Sequence, residues 1–385
     1  MAEAAPVREV VLAGGGHSHA LVLRELVRRP LPRARVTLVC STAWAPYSGM
    51  LPGQVAGHYS HGQTHIDLAR LCRAAGVRLV VDEAVGIDRA GRQLVLADTP
   101  GVRYDLLSLN IGATPRMLAS GAAEHAVAVK PIGSFHARWH ALLERVRRHE
   151  GATTLAVVGA GAAGVELALA LQHRLQQELR GLGRDPALLR LHLFSGGYTV
   201  LPSYNAGVQR RFERVLARRN IVVHRQARVA QMHAGGLRTE DGMALQADEV
   251  IWATQAGAAD WLATTGLALD ADGFVRVRLT LQSVVDAAIF AAGDVASVDG
   301  CRLEKAGVVA VRQAPVLAAN LRRCLLGQPL VTWRPQRQWL SLISTGDRYA
   351  VASRGPFSAA GRWAWQWKDA IDRRFMRQFT EGVDT

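Results

Sequence analysis

Short apolar runs alternate along the chain with longer stretches at helical spacing, and that alternation predicts the fold. The first apolar run, residues 9–13, leads into Gly14-Gly15-Gly16-His17-Ser18-His19, and a helical pattern continues through about Arg28. A second apolar run follows at 35–40, completing a strand–glycine turn–helix–strand unit. A polar, histidine-bearing loop spans 43–65, and a helix is predicted near 67–75. Strand-like runs come next at 77–81, 84–87, 93–97 and 106–111. The pattern then restarts. Residues 154–158 read as a strand, 159–164 as a glycine turn, 165 to about 180 as a long helix and 191–194 as the closing strand. Later strands fall near 221–224, 249–253, 274–277 and 289–292. The glycine turns lie about 145 residues apart, which is the period of a repeated domain rather than of a solenoid. The fold class expected is α/β, with two Rossmann-like units on parallel sheets and a small C-terminal α+β segment.

Glycines serve such a turn in three ways: a tight bend, close approach of backbone to a pyrophosphate, and close packing of helix on strand. The phosphates then sit at the helix N-terminus, where free N–H groups and the helix dipole favour anions. Gly159, Gly161 and Gly164 supply all three glycines in strand–turn–helix context. The first loop has Gly14 and Gly16, but His19 stands at the third position, so looser packing or an outward-pointing His19 is expected. The acidic residue that takes up ribose hydroxyls after the second strand is missing twice. Cys40 and Ser41 stand there in the first unit, and Ser195-Gly196-Gly197 in the second.

Composition narrows the partners. The net charge of +14 is almost all arginine, spread along the chain rather than clustered in a basic arm, and no nucleic-acid motif interleaves aromatics with it, so nucleic-acid binding is not expected. The only lysines are Lys130, Lys305 and Lys368, which marks them as positions where an ammonium differs usefully from a guanidinium. Cys40, Cys72, Cys301 and Cys324 form no C-x-x-C pair, which speaks against a dithiol or zinc ribbon. His17, His19, His58, His61 and His65 lack an accompanying acid or cysteine, and no metal site is expected. No apolar run approaches the roughly 20 residues of a bilayer span, and the first one opens directly on a glycine loop. The expected location is cytoplasmic, with peripheral attachment to the inner face of the membrane left open.

Further motifs add a resemblance. Residues 104–115, the segment 248–254, and Phe290-Ala-Ala-Gly293-Asp294, together with both glycine loops, resemble the pyridine nucleotide-disulfide oxidoreductase superfamily over about residues 8–330. The chain is more similar to the type II NADH dehydrogenase-like branch, which lacks the active-site disulfide. Residues 14–20, 46–52 and 340–347 also resemble the flavoprotein domain fused to some selenide, water dikinases. The resemblance implies FAD and NAD(P)H. It implies an FAD-binding domain in two parts, 1–125 and 256–330, an NAD(P)-binding domain at 126–255, and an interface or membrane-facing segment at 331–385.

By resemblance, Gly14, Gly16, His17, Ser18, Gly112, Gly293 and Asp294 hold FAD, with Val85 meeting the adenine through backbone, and Gly159, Gly161 and Gly164 hold the second cofactor. Lys305 is expected to open the helix aimed at the flavin pyrimidine edge, adding positive charge there. Glu166 is expected near the reactive flavin nitrogen, paired with Lys130. Tyr47, Ser48 and Met50 replace the family's cysteine pair as a wall on the substrate side, so thiol–disulfide exchange is not expected. Near the C-terminus, residues 340–343 and 349–353 read as two strands. Trp363, Trp365 and Trp367 among arginines suit a bilayer interface, although tryptophans at period two do not share one helical face. Packing of this tail on the FAD domain or on a dimer partner is the alternative.

Hydride transfer from NAD(P)H through the flavin to a quinone or other small acceptor leads the functional readings. The missing ribose acid, and Gln255 where a glycine closes the corresponding family motif, weaken the nicotinamide half. Flavin-dependent oxidation of a reduced sulfur or selenium compound, or a flavin-bound partner of a selenium-handling enzyme, are the alternatives.

Overall fold

The computed structural model describes residues 6–382 apart from Pro131, Gln255 and Arg337, so the reading of Gln255 lies outside the described residues. The chain opens with β1 (Arg8–Ala13), α1 (His17–Arg28), β2 (Ala34–Cys40), β3 (Arg78–Val81) and β4 (Leu106–Leu109). It continues through β5 (Val127–Ala128), α2 (Ile132–Arg148), β6 (Thr153–Val158), α3 (Ala162–Gly181), β7 (Leu189–Phe194), β8 (Val222–His224) and β9 (Glu249–Trp252). Then come β10 (Ile289–Ala291) and α4 (Gly307–Leu325), and last β11 (Ser341–Ser344), β12 (Ala350–Arg354), β13 (Phe357–Gly361) and α5 (Arg362–Arg377).

Two five-stranded sheets result, ordered β10-β4-β1-β2-β3 and β5-β9-β6-β7-β8, and every pairing in them is parallel. Their central strands are continuous runs of Val, Leu and Ala because both faces of a parallel sheet are covered; in the second sheet one face packs on helices and the other on the antiparallel strands at 229–246. Val10, Leu12, Ala13, Leu155, Ala156 and Val157 are fully buried. The expectation of an α/β fold with Rossmann-like units is met.

Each glycine loop leaves its sheet at the carboxyl end of the central strand. Ala13 lies between Val39 and Leu109, and Val158 between Phe194 and Trp252. These are the crevices where open α/β sheets bind ligands. Each sheet also carries a three-stranded antiparallel insertion, at residues 84–103 in the first and 229–246 in the second.

The C-terminal segment is an antiparallel meander, β11-β12-β13, covered by α5. The third strand was not anticipated. Ile343 and Val351 join the core beneath the second sheet, while Phe375 and Phe379 join the core beneath the first. The segment therefore straps the two sheets together, and it carries side chains into the crevice between them.

Candidate functional site

Local sterics explain the first loop. Gly14 has φ +94°, and a Cβ there would come 2.5 Å from the Asn110 carbonyl oxygen; at Gly16 a Cβ would overlap the Asn110 side chain. Asn110 directly follows β4 and is buried. Its Oδ1 accepts from the Ser18 N–H at 3.0 Å and the His19 N–H at 3.2 Å, and its Nδ2 donates to Ala292 O at 2.6 Å. One amide thus caps the N-terminus of α1 from 92 residues away and ties it to the strand end preceding Gly293-Asp294. Ser18 Oγ adds a bond to Ala310 O in α4 at 2.8 Å.

His19 neither points away nor loosens the packing, contrary to expectation. It is fully buried, with Nδ1 2.7 Å from Gly14 O and Nε2 2.8 Å from Ser108 Oγ. A carbonyl only accepts, so Nδ1 carries the proton and Nε2 accepts from the Ser108 hydroxyl. Burial pushes this imidazole down to about 4, keeping it neutral. The third glycine has been exchanged for a side chain that bonds the loop to the neighbouring strand.

An FAD pyrophosphate fits what remains. Asn110 takes the Ser18 and His19 N–H groups, and Gly16, the residue before α1, brings no side chain of its own between the loop and a phosphate. Gly112, at φ +78°, faces open space, where a Cβ would meet nothing within 4 Å. Gly293 (φ +74°) donates its N–H to Gln313 Oε1 at 2.7 Å. Val85 is 39% exposed on the antiparallel insertion.

The lysines required correction. Lys130 Nζ lies 2.8 Å from Asp294 Oδ2, so its partner is the FAD-motif aspartate and not Glu166. Glu166 accepts instead from the Ser344 N–H at 2.6 Å, and Lys368 is the strongest charge acting on it. Burial pushes the Glu166 carboxyl up to about 7, against the pull of Lys368 and the Ser344 N–H. Lys305 does not open a helix: α4 begins at Gly307, after Ala306. Its ammonium donates to Ala296 O at 2.8 Å and lies 3.6 Å from the centre of the Phe274 ring, and burial lowers its pKa.

Lys368, which sequence reading left in the tail, is the buried lysine of the crevice. It donates to Gly49 O and to Asp372 Oδ2, both at 2.6 Å, and Tyr47 Oη donates to Asp372 Oδ1 at 3.0 Å. Burial raises the Asp372 and Tyr47 pKa values, so Tyr47 stays protonated. Tyr47 stacks on Phe375 with ring centres 4.6 Å apart, and His17 sets its edge on both rings at 5.3 and 6.0 Å. Burial lowers the His17 pKa. Met50 is fully buried, and Ser48 Oγ and His17 Nδ1 approach Gly307 at the start of α4. The wall at 46–52 is therefore braced from behind by α5. The i, i+4 spacing of Lys368 and Asp372 was the readable signal for this pair.

The second loop is built differently. Gly159 has φ +119°, and a Cβ on Gly164 would overlap the Gly159 carbonyl, which makes this third glycine obligatory. A Cβ on Gly161 meets nothing within 4 Å, and among the described residues no side chain caps the start of the 20-residue helix α3. At the end of β7 the Ser195 hydroxyl is taken by its own turn, 3.2 Å from the carbonyls of Gly197 and Thr199.

Elsewhere His61 and His65 stack at 3.7 Å with His136 beside them, but among the described residues no His/Cys/Asp/Glu group is arranged to hold a metal. The four cysteines are free thiols. On α5, Trp363, Trp367 and Ile371 are 50, 45 and 42% exposed at i, i+4, i+8, while Trp365 turns inward against His58. Two of the three tryptophans thus do share a face, bordered by exposed Arg362, Arg374 and Arg377. Among the described residues no helix is long and apolar enough to cross a membrane.

The family model for pyridine nucleotide-disulphide oxidoreductases matches residues 8–316. A type II NADH:quinone oxidoreductase from Haemophilus influenzae is 24% identical, over 93% of this chain and 91% of its own length. The NADH dehydrogenase-like protein YutJ of Bacillus subtilis is 23% identical, over 86% and 87%. Among solved structures, NDH2 from Plasmodium falciparum in complex with NADH superposes with a TM-score of 0.81 at 13% identity, covering 97% of this chain and 98% of that one. The sulfide:quinone oxidoreductase of Aquifex aeolicus gives 0.78 at 17% identity, covering 97% and 92%.

Proposed function

The chain belongs to the pyridine nucleotide-disulphide oxidoreductase family, and on that premise we propose that it is a flavin-dependent NAD(P)H dehydrogenase delivering electrons to a quinone or another small acceptor. Bound FAD supplies the hydride chemistry. Gly14, Gly16, His17, Gly112, Gly293 and Asp294 border its place, with Ser18 acting as a brace because its N–H and hydroxyl are both engaged. Residues 1–125 and 256–330 form its domain, and 126–255 the nicotinamide domain. Gly159, Gly161 and Gly164 receive the second dinucleotide at the uncapped end of α3.

The observation that carries the reading is the position of Glu166 on α3, in the first turns after that open end. Its carboxyl, held near neutrality, meets a polar network of Lys368, Asp372 and Tyr47 behind the 46–52 wall. Such a carboxyl holds or releases a proton at working pH. No cysteine lies in that wall. Anaerobic addition of NADH or NADPH to the FAD-loaded protein is expected to bleach the flavin spectrum. No bleaching at millimolar concentrations of either would defeat the proposal, and bleaching by a reduced sulfur or selenium compound alone would favour the alternative.

The exposed Trp363–Trp367–Ile371 stripe supports peripheral contact of α5 with an anionic bilayer. Trp363→Ser/Trp367→Ser should abolish co-sedimentation with anionic liposomes. Equal pelleting removes this part of the reading, and a concentration-dependent dimer lost in the same variant would assign the stripe to a second copy.

A further inference from the structure

We propose that the second nucleotide site selects the 2′-phosphorylated dinucleotide, NADPH, and that Arg228, flanked by Arg225, is the residue that reads the phosphate. The inference rests on the reading of residues 159–164 as a nicotinamide dinucleotide site. Discrimination between the two dinucleotides is made where the adenosine ribose lies, at the carboxyl end of the strand after the glycine-loop helix. A carboxylate there accepts from the free 2′-hydroxyl; a guanidinium there pairs with a 2′-phosphate.

In this chain that strand is β7, and the loop after it, residues 195–201, contains no acid. Its one early hydroxyl, on Ser195, is consumed within the turn. The loop itself therefore offers the ribose hydroxyls no carboxylate. The segment after β8 supplies the opposite charge. Backbone bonds lay 224–227 directly alongside the loop: Ser195 N to His224 O at 2.8 Å, Ala227 N to Ser195 O at 3.0 Å and Gln226 N to Gly197 O at 3.0 Å. Arg228 Nε consequently reaches within 4.0 Å of where a Cβ on Gly196 would stand. Its side chain is 71% exposed, and its ion pair with Glu240 is long, 3.8 Å, with the Glu240 side chain also largely open to solvent. A pair of that kind is worth little and yields readily to a phosphate. Arg225, on the same segment, holds a 3.2 Å pair with Glu213.

Gly196 itself completes the case. It has ordinary φ, and an added side chain would meet only Arg228. An acid is sterically allowed there; the chain lacks one.

The test uses the FAD-loaded full chain and a redox-silent probe, 2′,5′-ADP against 5′-ADP, by calorimetry, alongside anaerobic flavin titration with NADPH and NADH. The expected result is tighter binding of 2′,5′-ADP and of NADPH, with Arg228→Ala costing about ten-fold for the phosphorylated ligands and little for NADH, one decade being the scale of a single exposed charged contact. Gly196→Asp should reverse the preference. Arg190→Ala, an exposed charge at the opposite end of β7, should change nothing. NADH preferred over NADPH, or equal losses in Arg190→Ala and Arg228→Ala, would overturn the inference while leaving the nicotinamide site standing. If none of the four ligands binds, the nicotinamide reading of the second loop falls, and this inference with it.

Discussion

Residues 14–19 and 159–164 leave the central strands of two parallel sheets with the same offset to the helices that follow, and both carry a first glycine at positive φ. Their surroundings differ. Two donors at the start of α1, the Ser18 and His19 N–H groups, are already taken by Asn110, and its third glycine position is filled by a bonded histidine. The start of α3 has no such cap, and its third glycine permits no side chain. The first loop is stabilised by protein and ready before any ligand arrives; the second leaves its free N–H groups to be satisfied by what binds there. This difference suits a cofactor that stays and one that comes and goes.

The sharpest way to break that comparison is Asn110→Ala. It strips the partner from two amide N–H groups and one carbonyl, each worth about 1–3 kcal/mol when buried and unpaired. The expected outcome is protein that purifies with little FAD and unfolds at a clearly lower Tm, read by the 450 nm absorbance and by calorimetry. Full FAD occupancy at unchanged stability would mean that the cap is incidental.

Next in size is the exchange of third positions. Gly164→Ala drives a methyl into the Gly159 carbonyl, and overpacking of that kind costs about 1–3 kcal/mol, concentrated here at the second loop. FAD content should remain full, while flavin bleaching by NAD(P)H should require far higher nucleotide concentrations. The expected split, flavin retained and nicotinamide response lost, would fail if both cofactors were affected alike.

Much of this arrangement was legible in the residues. The alternation of runs predicted both sheets, because buried parallel strands are continuously apolar and glycine marks where they turn into helices. What stayed hidden is partnership across long separations. Asn110 was read as part of a returning strand, but nothing local announces that its side chain caps a helix 92 residues earlier. Lys130 and Glu166 were paired by resemblance to the family, and the resemblance does not say which lysine reaches the glutamate; the fold gave Lys130 to Asp294 and set Lys368 near Glu166. On α5 a period-two reading of the tryptophans concealed the i, i+4 stripe, since one tryptophan belongs to the interior and two to the surface.

The finest test of the comparison concerns Glu166, which belongs to the open loop's helix yet looks toward the closed side. Its carboxyl sits at about 7 in the folded chain against an ordinary 4.5. A raised carboxyl means that the folded state holds the proton more tightly than the unfolded one. Stability is therefore unpenalised below about pH 4.5 and is lost as the pH rises toward 7, at no more than about 1.4 kcal/mol per pH unit. Glu166→Gln keeps the acceptor for the Ser344 N–H and abolishes the charge. It should match the parent protein near pH 5 and exceed it in stability by about 1–2 kcal/mol near pH 7, by urea unfolding at both values. Lys368→Met should act in the opposite sense, pushing the Glu166 pKa further up because its main favourable charge is gone, while Lys130→Met should leave it unmoved. If Lys130→Met shifted that titration as much as Lys368→Met, the crevice would be wired as the family resemblance implied, with the two loops sharing one network rather than dividing it.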